Sequence, residues 1–198
     1  MGKKTIVCVD NGHGIDTAGK RSPDGRLREY KWARECADLL VAALQADGIT
    51  AKRIVTEDTD ISLRERCARV NKICKEYGTS NVLCISIHNN AAGNEAKWMS
   101  ARGFTAHVAK NASNNSKRLA KCLWDAAIKH GVQGNRNIPS CGYIVQNLAM
   151  CRDTNCPAVL TENLFQDNKE DVEFLLSDTG KQTMVAVHVE GIKAYLGL

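Results

Sequence analysis

Thr5-Ile-Val-Cys-Val-Asp10 runs straight into Asn11-Gly12-His13-Gly14. Its four consecutive apolar residues do not alternate with polar ones, which marks a short strand buried on both faces. Two further runs repeat the pattern. Val82-Leu-Cys-Ile-Ser-Ile87 is followed by His88-Asn89-Asn90, and Pro157-Ala-Val-Leu-Thr161 by Glu162-Asn163. Each strand-like run gives way to a polar residue able to bind a metal. Open α/β sheets hold their sites beyond the carboxyl ends of such strands. Neutral imidazole is the commonest zinc ligand and a carboxylate commonly completes the set. The pattern points to a mononuclear metal hydrolase.

Outward from these runs, helical and extended patterns alternate. After a polar, glycine-rich loop over residues 11–26, the spacing of Trp32, Cys36, Leu39, Leu40, Ala43 and Leu44 predicts a helix over 27–47, ended by Gly48. Residues 49–55 read as a strand. Ser62 followed by Glu65 is a capping box, and Leu63, Cys67, Val70 and Cys74 give the helix it opens an apolar face that runs to Gly78. Residues 103–109 and 143–145 read as strands, and 116–130 and 178–195 as helices. The expected fold is α/β: one domain over residues 1–198, with a mostly parallel mixed sheet flanked by helices on both faces.

Composition narrows the class. The 198 residues suit one domain with a sizeable core. The net charge of +5 favours contact with an acidic polymer, but no Lys/Arg run marks a nucleic-acid surface. Nine cysteines include no CxxC pair. Cys8, Cys36, Cys84 and Cys122 fall in apolar patterns, and Cys151 and Cys156 read as two free thiols rather than a disulfide. That usage fits synthesis in a reducing compartment. No signal-peptide h-region and no membrane-length apolar stretch are visible. Met1-Gly2 resembles a myristoylation start, but Ile6 stands where Ser or Thr is expected.

Two strand-end histidines need a third protein ligand. Glu29 opens the first helix directly after the loop that follows His13; Glu35, Asp16 and Asp24 are alternatives. His107 within a strand, His130 at a helix C-terminus and His188 among apolar neighbours read as structural. No cysteine sits at a strand end beside a histidine, so a thiol hydrolase is disfavoured. The Asn11-Gly-His-Gly turn lacks the Lys-Ser/Thr of a P-loop.

The order of motifs resembles the zinc-dependent N-acetylmuramoyl-L-alanine amidases of the AmiC/CwlV type, the amidase-3 family. The resemblance rests on Asp10-Asn-Gly-His-Gly14, Arg28-Glu29, Ser62-Leu63 with Arg66 and Asn71, and Ser86-Ile-His88-Asn-Asn90-Ala91. Gly103-Phe104, Ser116 with Leu119-Ala120, and Pro157 to Phe165 with Asn168 and Asp171 complete it. It covers nearly the whole chain, with departures at Asn11, Ile15, Glu57 and Asn163. It implies that His13, Glu29 and His88 bind Zn2+ and that Glu162 is the catalytic carboxylate. The implied reaction is hydrolysis of the amide between N-acetylmuramic acid and L-alanine in peptidoglycan. The alternatives are a zinc peptidase cutting another amide and a wall-binding module without turnover. The implied setting is a monomer made in the cytoplasm that acts on the cell wall, with phage lysis as the favoured context.

Overall fold

The computed structural model describes residues 5–94 and 96–198. The myristoylation reading concerns the first four residues and lies outside them. In chain order the elements are β1 (Ile6–Asn11), α1 (Glu29–Ala46), β2 (Thr50–Arg53), α2 (Leu63–Tyr77), β3 (Val82–Asn90) and β4 (Thr105–Val108). They continue with α3 (Asn114–Lys129), β5 (Ile144–Val145), α4 (Ala149–Arg152), β6 (Ala158–Phe165), α5 (Lys169–Leu176) and α6 (Asp178–Leu196).

The six strands form one sheet in the order β2-β1-β3-β6-β4-β5. The β2-β1-β3-β6 block is parallel, β4 runs antiparallel to β6, and β5 is parallel to β4. This is the expected single-domain mixed sheet. The chain leaves β1 for β2 on one side and returns to β3 on the other. That reversal opens a crevice above the carboxyl ends of β1 and β3, where ligands bind in open α/β sheets.

Side-chain parity divides the core. Val7, Val9, Leu83, Ile85, Ile87 and Val159 face the layer that includes α1, α3 and α6. Ile6, Cys8, Val82, Cys84 and Ala158 face α2. Because successive strand residues alternate faces, Asp10, Ser86, His88 and Glu162 fall on the α2 side. The central strands are apolar on both faces because both are covered.

The four anticipated helices and six anticipated strands are present, with three differences. His88 and Glu162 lie within β3 and β6 rather than beyond them. Each strand runs on because the other supplies ladder partners, with His88 in register with Glu162 and Asn90 with Phe165. Helices α4 and α5 were not anticipated. Helix α5 is short and buries only Val172 and Leu175 of its apolar residues, too few to show a period. Leu39 and Leu63, assigned to apolar faces, are exposed. Leu39 lies off the stripe Trp32, Cys36, Leu40, Leu44, and Leu63 is the first residue of α2.

Half of the capping box forms. The Ser62 hydroxyl accepts from the Glu65 amide, while the Glu65 carboxylate pairs with Arg69. All nine cysteines are free, Cys151 and Cys156 included.

Candidate metal centre

Three elements deliver the site. The turn after β1 carries His13, the N-terminus of α1 carries Glu29, and β3 carries His88. Their ligand atoms all lie within 4.8 Å of one another. His88 Nδ1 is 3.0 Å from Glu29 Oε1, and His13 Nε2 is 3.4 Å from the same oxygen. The two imidazoles meet edge to face, with centroids 5.0 Å apart.

Local backbone explains how they converge. Gly12 packs so tightly that a Cβ there would lie 2.3 Å from His88 Cε1. His13 holds φ at +61°, a left-handed conformation that costs a residue with a Cβ about 1–2 kcal/mol. The His13 carbonyl accepts from Arg34 Nη1 at 3.0 Å and from Arg66 Nη2 at 3.3 Å. Arg66 is 2% exposed. It also donates to Asp10 Oδ1 and to the Asn11 and Ile61 carbonyls, and Asp10 Oδ2 accepts from the Ser86 hydroxyl.

Glu29 is 1% exposed at the first position of α1, where the helix dipole favours an anion. Burial opposes its ionisation, but hydrogen bonds and charge from His13 and His88 outweigh that and hold the carboxyl below the usual range. The Asn89 amide also donates to Oε1, whereas buried Oε2 has no hydrogen-bond partner among the described residues. Burial lowers the His88 pKa, and its bond to Glu29 more than reverses this.

Glu162 stands beside His88 in the β3–β6 ladder. Its Oε2 is buried without a hydrogen-bond partner among the described residues. Burial pushes its pKa up to about 7, aided by the charge of Glu29 and opposed by His88 and Lys20. A carboxyl poised near neutrality suits proton transfer. The imidazoles, Arg66, Ile61 and Leu63 line a groove of about 460 Å3 open to solvent.

The alternative ligands are engaged elsewhere. Glu35 pairs with Lys181 on α6, Asp24 with Arg26, and Asp16 accepts from the Asp60 amide. His107 bonds to Thr105, His130 to Glu190 and His188 to Thr161, the structural work expected of them. Glu57 is held by Arg69, and the Asn163 amide donates to the His88 carbonyl. Sequence reading missed Arg34 and the structural weight of Arg66. The available signal was Arg66 itself, a cation at helical spacing with the buried Val70 and Ile73.

Two imidazole nitrogens and one carboxylate are the donor set of a catalytic zinc site with an open fourth position. Tetrahedral zinc with ~2.0–2.1 Å bonds sets ligand atoms about 3.3–3.4 Å apart, and the separations of 3.0 and 3.4 Å bracket that value. The second Glu29 oxygen is a further acceptor that takes no hydrogen bond from the described residues. The residues fit such an ion, and together they make a candidate metal site on an open α/β sheet.

The family model for N-acetylmuramoyl-L-alanine amidase matches residues 7–194, and the chain belongs to that family. It is 25% identical over 197 residues to the endolysin of Bacillus phage SPP1, covering 98% of this chain and 66% of that protein. It is 28% identical over 193 residues to a probable cell wall amidase, LytH, of Staphylococcus saprophyticus, covering 97% of this chain and 58% of that protein. The chain thus spans about three fifths to two thirds of these relatives. Its fold matches the N-acetylmuramoyl-L-alanine amidase of Clostridium difficile 630 with a TM-score of 0.84, at 24% identity and 98% coverage of both chains. Ami1 of Mycobacterium smegmatis also gives 0.84, at 22% identity, covering 100% of this chain and 99% of that one.

Proposed function

We propose that this chain is a zinc-dependent amidase that hydrolyses the bond between the lactyl group of N-acetylmuramic acid and L-alanine in peptidoglycan. The observation that carries the reading is the convergence of His13, Glu29 and His88, with both imidazoles lining an open groove and Glu162 paired with His88 in the ladder. Zinc, when bound, supplies Lewis acidity that polarises a carbonyl and acidifies water.

The chain's own groups do the rest. Glu29 and the two histidines hold the ion, and Glu29 fixes the orientation of both rings. Glu162 Oε2 takes the proton of the attacking water. The same carboxyl then delivers it to the departing amide nitrogen, which leaves as the amine of L-alanine. Burial serves this role by keeping the Glu162 pKa near that of a group able to accept and return a proton. The family membership and the wall-directed names of the relatives support peptidoglycan as substrate. Among the described residues no helix is long and apolar enough to cross a membrane. We place the action at the cell wall, after release or export from the cytoplasm, by a monomer. Phage lysis is the favoured context.

Glu162→Gln tests the mechanism, because the amide keeps the shape but cannot accept the proton. On purified sacculi the variant should retain one zinc per chain and lose ~10²–10⁴-fold in turnover. The wild type should release new amino termini on L-alanine; new termini elsewhere in the stem would indicate a peptidase instead. Near-normal cleavage by folded, zinc-loaded Glu162→Gln would sink the mechanism.

A further inference from the structure

His13 poses a mechanical problem. Its backbone is left-handed without being glycine, and its ring must meet two partners carried by other elements. The turn that carries it is short, and its flanks are pinned by contacts that do not reach His13 itself. Gly12 is tied to the Ile87 carbonyl, and Gly14 bonds to Thr17. What the turn has instead is two cations on one oxygen. Arg34, from the second turn of α1, and Arg66, from the first turn of α2, both reach the His13 carbonyl.

Neither guanidinium is a solvated surface charge: Arg34 is 7% exposed and Arg66 2%. Each is anchored on further acceptors. Arg34 also bonds to the Tyr30, Glu57 and Asp58 carbonyls. Arg66 bonds to Asp10, Asp60 and the Asn11 and Ile61 carbonyls. A planar fork that bonds several oxygens at once fixes their relative positions as a single-point ammonium does not.

We propose that Arg34 and Arg66 are positioning residues of the metal centre: they clamp the His13 carbonyl from two helices and so aim the imidazole at Glu29 and His88. The clamp also links the centre to the fold. Arg34 lies five residues along α1 from Glu29. Arg66 is joined through Asp10 to Ser86, two residues before His88 on β3. All three proposed ligands are thereby referred to one hydrogen-bonded frame. Outer partners of metal ligands commonly contribute 10–100-fold to affinity.

The inference rests on the metal-centre reading, and the test separates the two. Zinc affinity is measured by competition with a chromogenic chelator, beside the visible spectrum of the cobalt(II) form and the melting temperature of the metal-free protein. Arg34→Met is the deciding variant. Apart from its His13 bond, it gives up bonds to backbone carbonyls and a cation–π contact with Tyr30, and strands no buried carboxylate. It should fold, bind zinc ~10–100-fold more weakly and show an altered cobalt spectrum. Arg34→Lys, which keeps a donor, should recover part of the affinity. Arg66→Lys keeps a cation beside Asp10 and should also weaken metal binding. A folded Arg34→Met protein with wild-type zinc affinity and cobalt spectrum, changed only in melting temperature, would show that Arg34 is merely structural and overturn the clamp. The same result for Arg66→Lys would overturn the part assigned to Arg66. Failure of the wild type to bind zinc would instead defeat the metal-centre reading itself.

Discussion

Gly12→Ala is the smallest change that should disable the site without touching a proposed ligand. Gly12 needs no unusual backbone conformation, since its φ is not positive, so alanine is excluded by space alone. A Cβ there would lie 2.3, 2.5 and 2.7 Å from Cε1, Nδ1 and Nε2 of His88. Optimal carbon contacts lie near ~3.5 Å, so the ring must retreat by about 1 Å. Nδ1, the nitrogen that faces Glu29, is among the displaced atoms. Metal–ligand distances tolerate only ~0.2 Å. A shift about five times larger should reduce zinc affinity at least 10–100-fold, or by about 1.4–2.8 kcal/mol of binding free energy. The assay is zinc retention during dialysis against a graded chelator series, with circular dichroism on the same samples to establish folding. A folded Gly12→Ala protein that holds zinc as tightly as the wild type would refute the packing argument.

Two further outcomes are expected. Removing zinc should lower the melting temperature of the wild type but not of His88→Ala. A ligand at 1,000 times its dissociation constant stabilises by about 4 kcal/mol, and equal shifts in both proteins would contradict the assigned site. Acid should destabilise the fold partly through His188. Burial, only partly offset by its bond to the Met184 carbonyl, pushes its pKa down to about 4 from 6.5. Below pH ~6.5 the unfolded chain binds a proton that the folded chain refuses until about pH 4, so stability falls as pH falls through that window, by up to about 3 kcal/mol. Urea melts at pH 7 and pH 5 should show a smaller difference for His188→Gln, and an unchanged difference would exclude His188 as a source.

The fold was legible because its deciding signals are local. Unbroken apolar runs with β-branched residues mark β1, β3 and β6, and the stripe from Trp32 to Leu44 marks α1. What escaped was set at long range. Helix α5 has eight residues, and its one strong local signal is the Asn168 side chain capping the Asp171 amide. The antiparallel direction of β4 cannot be read from its alternation. The buried state of Arg34 and Arg66 was hidden because arginine on a helix ordinarily faces water. Only the carbonyls and carboxylates gathered by other segments make burial tolerable.

The same distinction governs the site. Residue type and position singled out His13, His88 and Glu162, but whether Glu162 shares the His88 side of the sheet depends on register. A slip of one residue between β3 and β6 would turn Glu162 toward the α6 side and bring Thr161 to the His88 side. Two contacts oppose that slip. The Thr161 hydroxyl bonds to His188 Nε2 at 2.9 Å, while His188 Nδ1 donates to the Met184 carbonyl at 2.7 Å. Asn163, on the same strand face as Thr161, donates to the His88 carbonyl. Thr161 and Asn163 flank Glu162, and their polar partners lie on or beside the far face of the sheet. Slipping would leave buried His188 Nε2 without its Thr161 partner and turn the Glu162 carboxyl into the apolar α6 layer, each unpaired group costing about 1–3 kcal/mol. His188 is distant from the chemistry, yet by holding Thr161 on its side it helps keep the Glu162 carboxyl on the side of His88.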